Sequence, residues 1–127
     1  MICLKQLYFL AELFAKNKKS NNLRIFSPDE TYSNKISEVF KHTSRSWQWP
    51  IEEWDTDLSQ EGKVMEMLSE HSLFGLHHGY SVTGRHGIFV SYEAFVQVVA
   101  SMADQYVKFI KASQEVDFRE PLPAVNV

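Results

Sequence analysis

The sequence has little of what marks secreted, membrane or nucleic-acid-binding proteins. Its 127 residues contain one cysteine, Cys3, so no internal disulfide can form. No apolar run reaches the roughly 20 residues that span a bilayer, because Lys5 and Glu12 interrupt the apolar start. The formal net charge is -3, which leaves no broad basic face for a run of phosphates. We therefore expect a cytoplasmic protein that partners neither membrane nor nucleic acid.

Glycine and proline are also scarce, with 5 and 4 residues, whereas 44% of the chain is hydrophobic and 13% is aromatic. This composition predicts about one globular domain with a buried core. We divide it into an N-terminal amphipathic helix and connection (1–20), a partial α/β domain (21–118) and a tail (119–127). The apolar helix face and the exposed edges of a narrow sheet also suggest a homo-oligomer.

Three strand-like segments are each followed by a segment with helical spacing. The predicted pairs are 23–26 with 31–42, 64–68 with 70–82, and 88–90 with 92–111, the last carrying a strong apolar stripe. In the second helix we expect Leu73, Leu76 and Tyr80 to face inward, and Ser91 can cap the third helix. Residues 43–62 show no regular period and are predicted as an ordered surface loop. Strands that alternate with helices predict an α/β fold, here a partial doubly wound parallel sheet of three βα units.

Polar side chains follow all three predicted strands, and parallel strands end at one edge of a sheet. The residues that would gather there are Glu30, Glu70, His71 and Tyr92. This edge is where open α/β sheets bind ligands. Glu70 has a structural alternative, because a carboxylate also stabilises the first turn of a helix. The histidines near it lack the ligand spacing of a metal centre, so we expect no metal site.

Four segments in collinear order carry a family resemblance. They read RIFSPDET (24–31), VMEMLSEH (64–71), GYSVTGRHG (79–87) and SYEAF (91–95). They closely resemble the central region of phosphoketolases, over about residues 23–118. That resemblance implies a thiamine-diphosphate enzyme that cleaves xylulose 5-phosphate or fructose 6-phosphate with inorganic phosphate, giving acetyl phosphate and an aldose phosphate. The matched region would be the first half of the domain that holds the cofactor's aminopyrimidine ring.

The resemblance assigns roles to three residues around that ring. Glu70 resembles the catalytic glutamate that hydrogen-bonds a ring nitrogen and favours the imino tautomer. A carboxylate in a dry pocket has its charged form disfavoured, so it can share a proton with such a nitrogen. Tyr92 and Phe95 resemble the aromatic residues that line and stack the ring.

The segment after the first strand carries three more resemblances. Glu30 matches a polar position near the cofactor, and Ser33 matches one near the sugar phosphate. Lys35 stands where the family usually has arginine, so a point charge replaces a planar fork at a possible substrate-binding position.

A large part of the family pattern is absent from this sequence. The superfamily holds the diphosphate and its magnesium ion with a glycine-aspartate-glycine motif on another domain, and no such motif occurs here. We therefore expect a chain that is inactive alone and works with the remaining phosphoketolase domains or a second subunit. The alternative is a non-catalytic interaction module, or a truncated remnant, that keeps the fold.

Overall fold

The computed structural model describes residues 4–29 and 31–127, which form helices and a single sheet. A short 3-10 helix, Ser37–Lys41, follows the first strand. The helices and strands are α1 Leu4–Asn17, β1 Leu23–Ser27, β2 Arg45–Ser46, β3 Leu58–Ser59, β4 Val64–Glu66, α2 Glu70–Ser81, β5 His86–Phe89 and α3 Glu93–Ser113. Among the described residues, no helix is long and apolar enough to cross a bilayer.

The sheet has the order β3-β2-β4-β1-β5, and every pairing in it is parallel. Ile25 of β1 pairs with Val64 on one side and Ile88 on the other, so β1 is central. This arrangement confirms the α/β class and the partial doubly wound parallel sheet. It also adds two strands, because β2 and β3 form inside the connection that was predicted to be a loop.

Helices cover both faces of the sheet. Because side chains alternate along a strand, Ile25 and Phe26 of β1 point to opposite faces. On one face, Ile25 and Val64 pack with Phe14 of α1 and Val39 of the 3-10 helix. On the other face, α2 and α3 cover a second core that contains Phe26, Leu73, Phe74, Phe89 and Val99. The apolar side of α1 therefore finds a partner within the chain.

Several local predictions were wrong. The helix expected over 31–42 is a turn followed by the 3-10 helix, because Lys35 has a left-handed backbone with φ of 58° that an α-helix excludes. In α2, the predicted inward Leu76 is 42% exposed, and His77 is buried instead. Within residues 119–127, the predicted tail, Asn126 forms a single parallel bridge with Ile88.

Candidate functional site at the carboxyl edge of the sheet

The carboxyl ends of β4, β1 and β5 lie side by side, with β1 in the middle. Neighbouring strands are about 5 Å apart, so the ends of β4 and β5 are about 10 Å apart. Glu70 follows β4, the segment 28–35 follows β1, and Tyr92 follows β5. The sequence-predicted residues of the described chain therefore gather along one edge.

Glu70 is the first residue of α2, immediately after the N-cap Ser69. The Ser69 side chain accepts a hydrogen bond from the backbone N–H of Ser72 at 3.4 Å, which satisfies one free amide of the first turn. Glu70 is half-buried. Within residues 4–29 and 31–127, its carboxylate has no side-chain hydrogen bond or ion pair. It therefore combines a favourable place at a helix N-terminus with an acceptor that is open to a ligand.

Tyr92 and Phe95 form a ring pair at the start of α3. Their ring centroids are 6.3 Å apart with an interplanar angle of 66°, an edge-to-face contact. The two residues are 39% and 45% exposed, so apolar ring surface remains open at this edge. Tyr92 is itself the N-cap residue and Ser91 does not cap the helix through its side chain, which corrects the expected role of Ser91. The pair could stack a flat ligand.

The segment after β1 holds the other predicted residues. Glu30 lies outside the described residues. Ser33 and Lys35 are exposed in the turn over 31–35, where the backbone N–H of Lys35 bonds the carbonyl of Tyr32 at 2.9 Å. The Tyr32 hydroxyl donates to the Asp57 carboxylate, and this hydrogen bond raises the pKa of Tyr32. The turn is thereby tied to the connection between β2 and β3.

Glu66, the last residue of β4, joins three segments at this edge. Its Oε1 accepts from the backbone N–H of Thr31 at 2.7 Å, and its Oε2 accepts from Arg45 Nε at 2.6 Å. The side chains of Arg45 and Glu66 are only 18% and 20% exposed. The Arg45 guanidinium also lies 4.6 Å from the centroid of the Phe40 ring. Glu66 thus ties the segment after β1 to the ends of β4 and β2.

Sequence reasoning missed the Glu66–Arg45 pair. Glu66 lies inside one of the four family-like segments, but Arg45 lies 21 residues earlier in the stretch predicted as a loop. Only the pairing of β2 with β4, which sets Arg45 beside Val64, brings the two side chains together.

Comparison with known families shows which family the chain belongs to. A family model described as D-xylulose 5-phosphate/D-fructose 6-phosphate phosphoketolase matches residues 5–127. The chain belongs to the phosphoketolase family. The resemblance seen in the four sequence segments is thus confirmed.

Curated relatives agree with this membership. Probable phosphoketolases from Bradyrhizobium diazoefficiens, Chlorobaculum tepidum and Gloeobacter violaceus are 45%, 43% and 43% identical to the chain over 118, 119 and 118 residues. Each match covers 93% of this chain and 15% of the relative. The chain therefore spans about 15% of the length of the phosphoketolases that it matches.

Proposed function

We propose that this chain supplies the pyrimidine side of a thiamine-diphosphate site in a phosphoketolase, and that it is inactive alone. The observation that carries the proposal is the position of Glu70. Its carboxylate has no hydrogen-bond partner in the described chain, and it lies on the same sheet edge as the exposed ring pair of Tyr92 and Phe95. A lone acceptor beside exposed aromatic surface fits a flat, nitrogen-containing ring.

The residues present fit the aminopyrimidine end of the cofactor. Thiamine diphosphate, when bound, would supply an acidic thiazolium C–H whose deprotonated form is the carbon nucleophile that cleavage of a ketose phosphate requires. Glu70 would hold a proton against a ring nitrogen, and Tyr92 and Phe95 would stack on the ring and exclude water. Glu30 would lie near the cofactor. The diphosphate and magnesium would be held by parts of a phosphoketolase outside this chain.

Ser33 and Lys35 would contact the sugar phosphate. Both are exposed in the turn after β1, which leaves them accessible to a ligand. The complete reaction would consume a ketose phosphate and inorganic phosphate and yield acetyl phosphate and an aldose phosphate. The partners would be the remaining phosphoketolase domains or a second subunit.

Complementation tests the proposal. The chain is mixed with the Bradyrhizobium diazoefficiens relative from which the matched 118-residue segment has been deleted, and acetyl phosphate is measured. We expect product only from the mixture, with a loss of about a hundredfold or more in Glu70→Gln, because proton transfer by a positioned side chain contributes that much. Glu93→Gln is the matched control, since it removes a carboxylate from the first turn of α3 instead.

Two results would contradict the proposal. Full activity in Glu70→Gln would remove the assigned role of this residue. A verified complex that makes no acetyl phosphate would instead support a non-catalytic interaction module.

A further inference from the structure

A second cleft lies at the opposite edge of the sheet, where the strands begin. It has a volume of about 650 Å³ and is lined by residues of α2, of β1 and β4, and of the segments that lead into β1, β4 and β5. Three of its lining residues are cations, although the net charge of the whole chain is -3. Arg24 is the second residue of β1, Lys63 directly precedes β4, and Arg85 directly precedes β5. Because β4, β1 and β5 are neighbours, one edge collects all three charges.

The cations are directed to the same face of the sheet. Phe26 and Met65, two residues beyond Arg24 and Lys63, line the cleft as well, as alternation along a strand requires. The guanidinium groups of Arg24 and Arg85 are each 5.6 Å from the centroid of the Tyr80 ring. The two guanidinium groups are therefore grouped around one aromatic ring.

No carboxylate of the described chain forms an ion pair with these cations. Arg24 donates to the carbonyl of Gly62 at 3.3 Å, and Arg85 donates to the hydroxyl of Thr83 at 3.0 Å. Burial lowers the pKa of Lys63, and the charge of Arg24 lowers it further, although Glu61 acts in the opposite direction. Three like charges thus face one cleft, the two arginines hydrogen-bond only neutral groups, and a bound anion would relieve the repulsion between the cations.

The helical wall of the cleft leaves room for a ligand. Gly75 and Gly79 lie one turn apart on α2, and both line the cleft. A Cβ atom added at position 79 would meet nothing within 4 Å, and one at position 75 would meet only the Met102 side chain at 3.8 Å. A side chain introduced at position 79 would therefore fill space that is open in the protein.

We infer that this cleft binds the phosphate group of a small anion through Arg24, Lys63 and Arg85. Phosphate suits the cleft because guanidinium groups bind its oxygens in pairs and an ammonium adds a point charge. The group could belong to free inorganic phosphate or to an organic phosphomonoester. The site lies on the opposite sheet edge from Glu70 and does not depend on the role proposed for that residue.

Backbone-amide NMR of the chain, titrated at constant ionic strength, tests this inference. The probes are inorganic phosphate and glycerol 3-phosphate, each balanced with sodium chloride. We expect saturable shifts at the amides of Gly75, Gly79 and Arg85. The dissociation constant should rise about tenfold in Arg85→Gln, because one charge-assisted hydrogen-bonding group is lost. Tighter binding of either probe would support the site and assign it to free or esterified phosphate.

Two further variants distinguish a specific site from general attraction to positive charge. Gly79→Leu keeps all three cations but fills the cleft, so we expect it to weaken binding about as much as Arg85→Gln. Lys111→Gln removes an exposed cation near the end of α3 and should change the constant less than twofold. Shifts that grow linearly without saturation, or unchanged binding in a folded Gly79→Leu, would overturn the inference. Circular dichroism and the thermal midpoint establish that each variant is folded.

Discussion

Glu66 and Glu70 lie four residues apart in one strand–helix junction, yet their surroundings differ completely. Glu66 receives hydrogen bonds from Arg45 and from the backbone of Thr31. Glu70 receives none within residues 4–29 and 31–127 and is half-buried at the start of α2. The same residue type therefore holds the fold together in one place and remains open to a ligand in the other.

This contrast extends to the residues around each glutamate. We call Glu66, Arg45, His77, Gly87 and Val99 the scaffold, since they are paired or packed within the chain. We call Glu70, Tyr92 and Phe95 the rim, because their side chains remain partly exposed at the carboxyl edge. If the division is correct, scaffold substitutions lower the free energy of unfolding and rim substitutions leave it nearly unchanged.

The largest expected effect is the pH dependence of the scaffold through His77. The ring is 0% exposed, stacks on Phe26 at 5.0 Å, and neither ring nitrogen has a hydrogen-bond partner in the described chain. Burial, together with the charge of His78, lowers the pKa of His77 to about 4, although the nearby Gly87 backbone acts in the opposite direction. The unfolded chain therefore binds the proton more readily. Stability is fully present above pH 6.5, and about 3 kcal/mol is lost as the pH falls from 6.5 to 4.

Urea unfolding at several pH values measures this loss. His77→Leu removes the titrating ring and should flatten most of the pH dependence between 6.5 and 4. A smaller slope should remain, because burial also lowers the pKa of His78. If His77→Leu lost stability just as steeply between pH 6.5 and 4, the pH dependence would arise from groups other than the His77 ring.

The next largest effect compares the two glutamates directly. Glu66→Gln keeps the shape of the side chain but removes the charge that pairs with Arg45, and we expect the free energy of unfolding to fall by about 2 kcal/mol. Glu70→Gln should cost less than about 1 kcal/mol, the size of a favourable charge at a helix N-terminus. Chemical denaturation measures both variants. Equal costs would end the distinction between scaffold and rim.

Substituting two glycines by alanine should change the free energy of unfolding in opposite directions. A Cβ atom at Gly87 would lie 2.3 Å from Cδ2 of the buried His77 ring and 2.9 Å from Cε2 of Phe26. Gly87→Ala should therefore cost about 1–2 kcal/mol through overpacking. Gly79→Ala meets open space in a helix and should stabilise the protein by about 0.5–1 kcal/mol. Thermal unfolding separates the two, and a stable Gly87→Ala would show that His77 can move.

The sequence predicted the elements that have long or strongly periodic patterns. All three predicted strands were found, two of them followed by the predicted α-helix, and their parallel order brought Glu70 and Tyr92 to one edge as expected. Two-residue strands such as β2 and β3 are too short to leave a period of two in the sequence. They form because the sheet already present offers an edge at β4, a long-range cause that local patterns do not carry.

The helical stripe of α3 shows the other limit of sequence reasoning. Its spacing identifies an apolar face correctly, but it does not say how much of that face the rest of the chain covers. Val99 and Tyr106 are 2% and 4% exposed, whereas Val98 and Phe109 are 36% and 40% exposed. Coverage depends on where α2 packs, which is a tertiary property.

The roles of Glu30, Ser33, Lys35, Glu70, Tyr92 and Phe95 stay predictions.

The smallest expected loss of stability is at Phe95, which lies one helical turn before Val99. Removing a phenylalanine ring from a core usually costs about 3–5 kcal/mol. Phe95 is 45% exposed, and the aromatic ring in contact with its own is that of the rim residue Tyr92. We expect Phe95→Ala to cost less than about 1 kcal/mol, whereas Val99→Ala should cost about 2 kcal/mol. Urea unfolding of the two variants measures the two losses of stability. A Phe95→Ala loss above that of Val99→Ala would mean that the ring belongs to the core and is not kept open for a ligand.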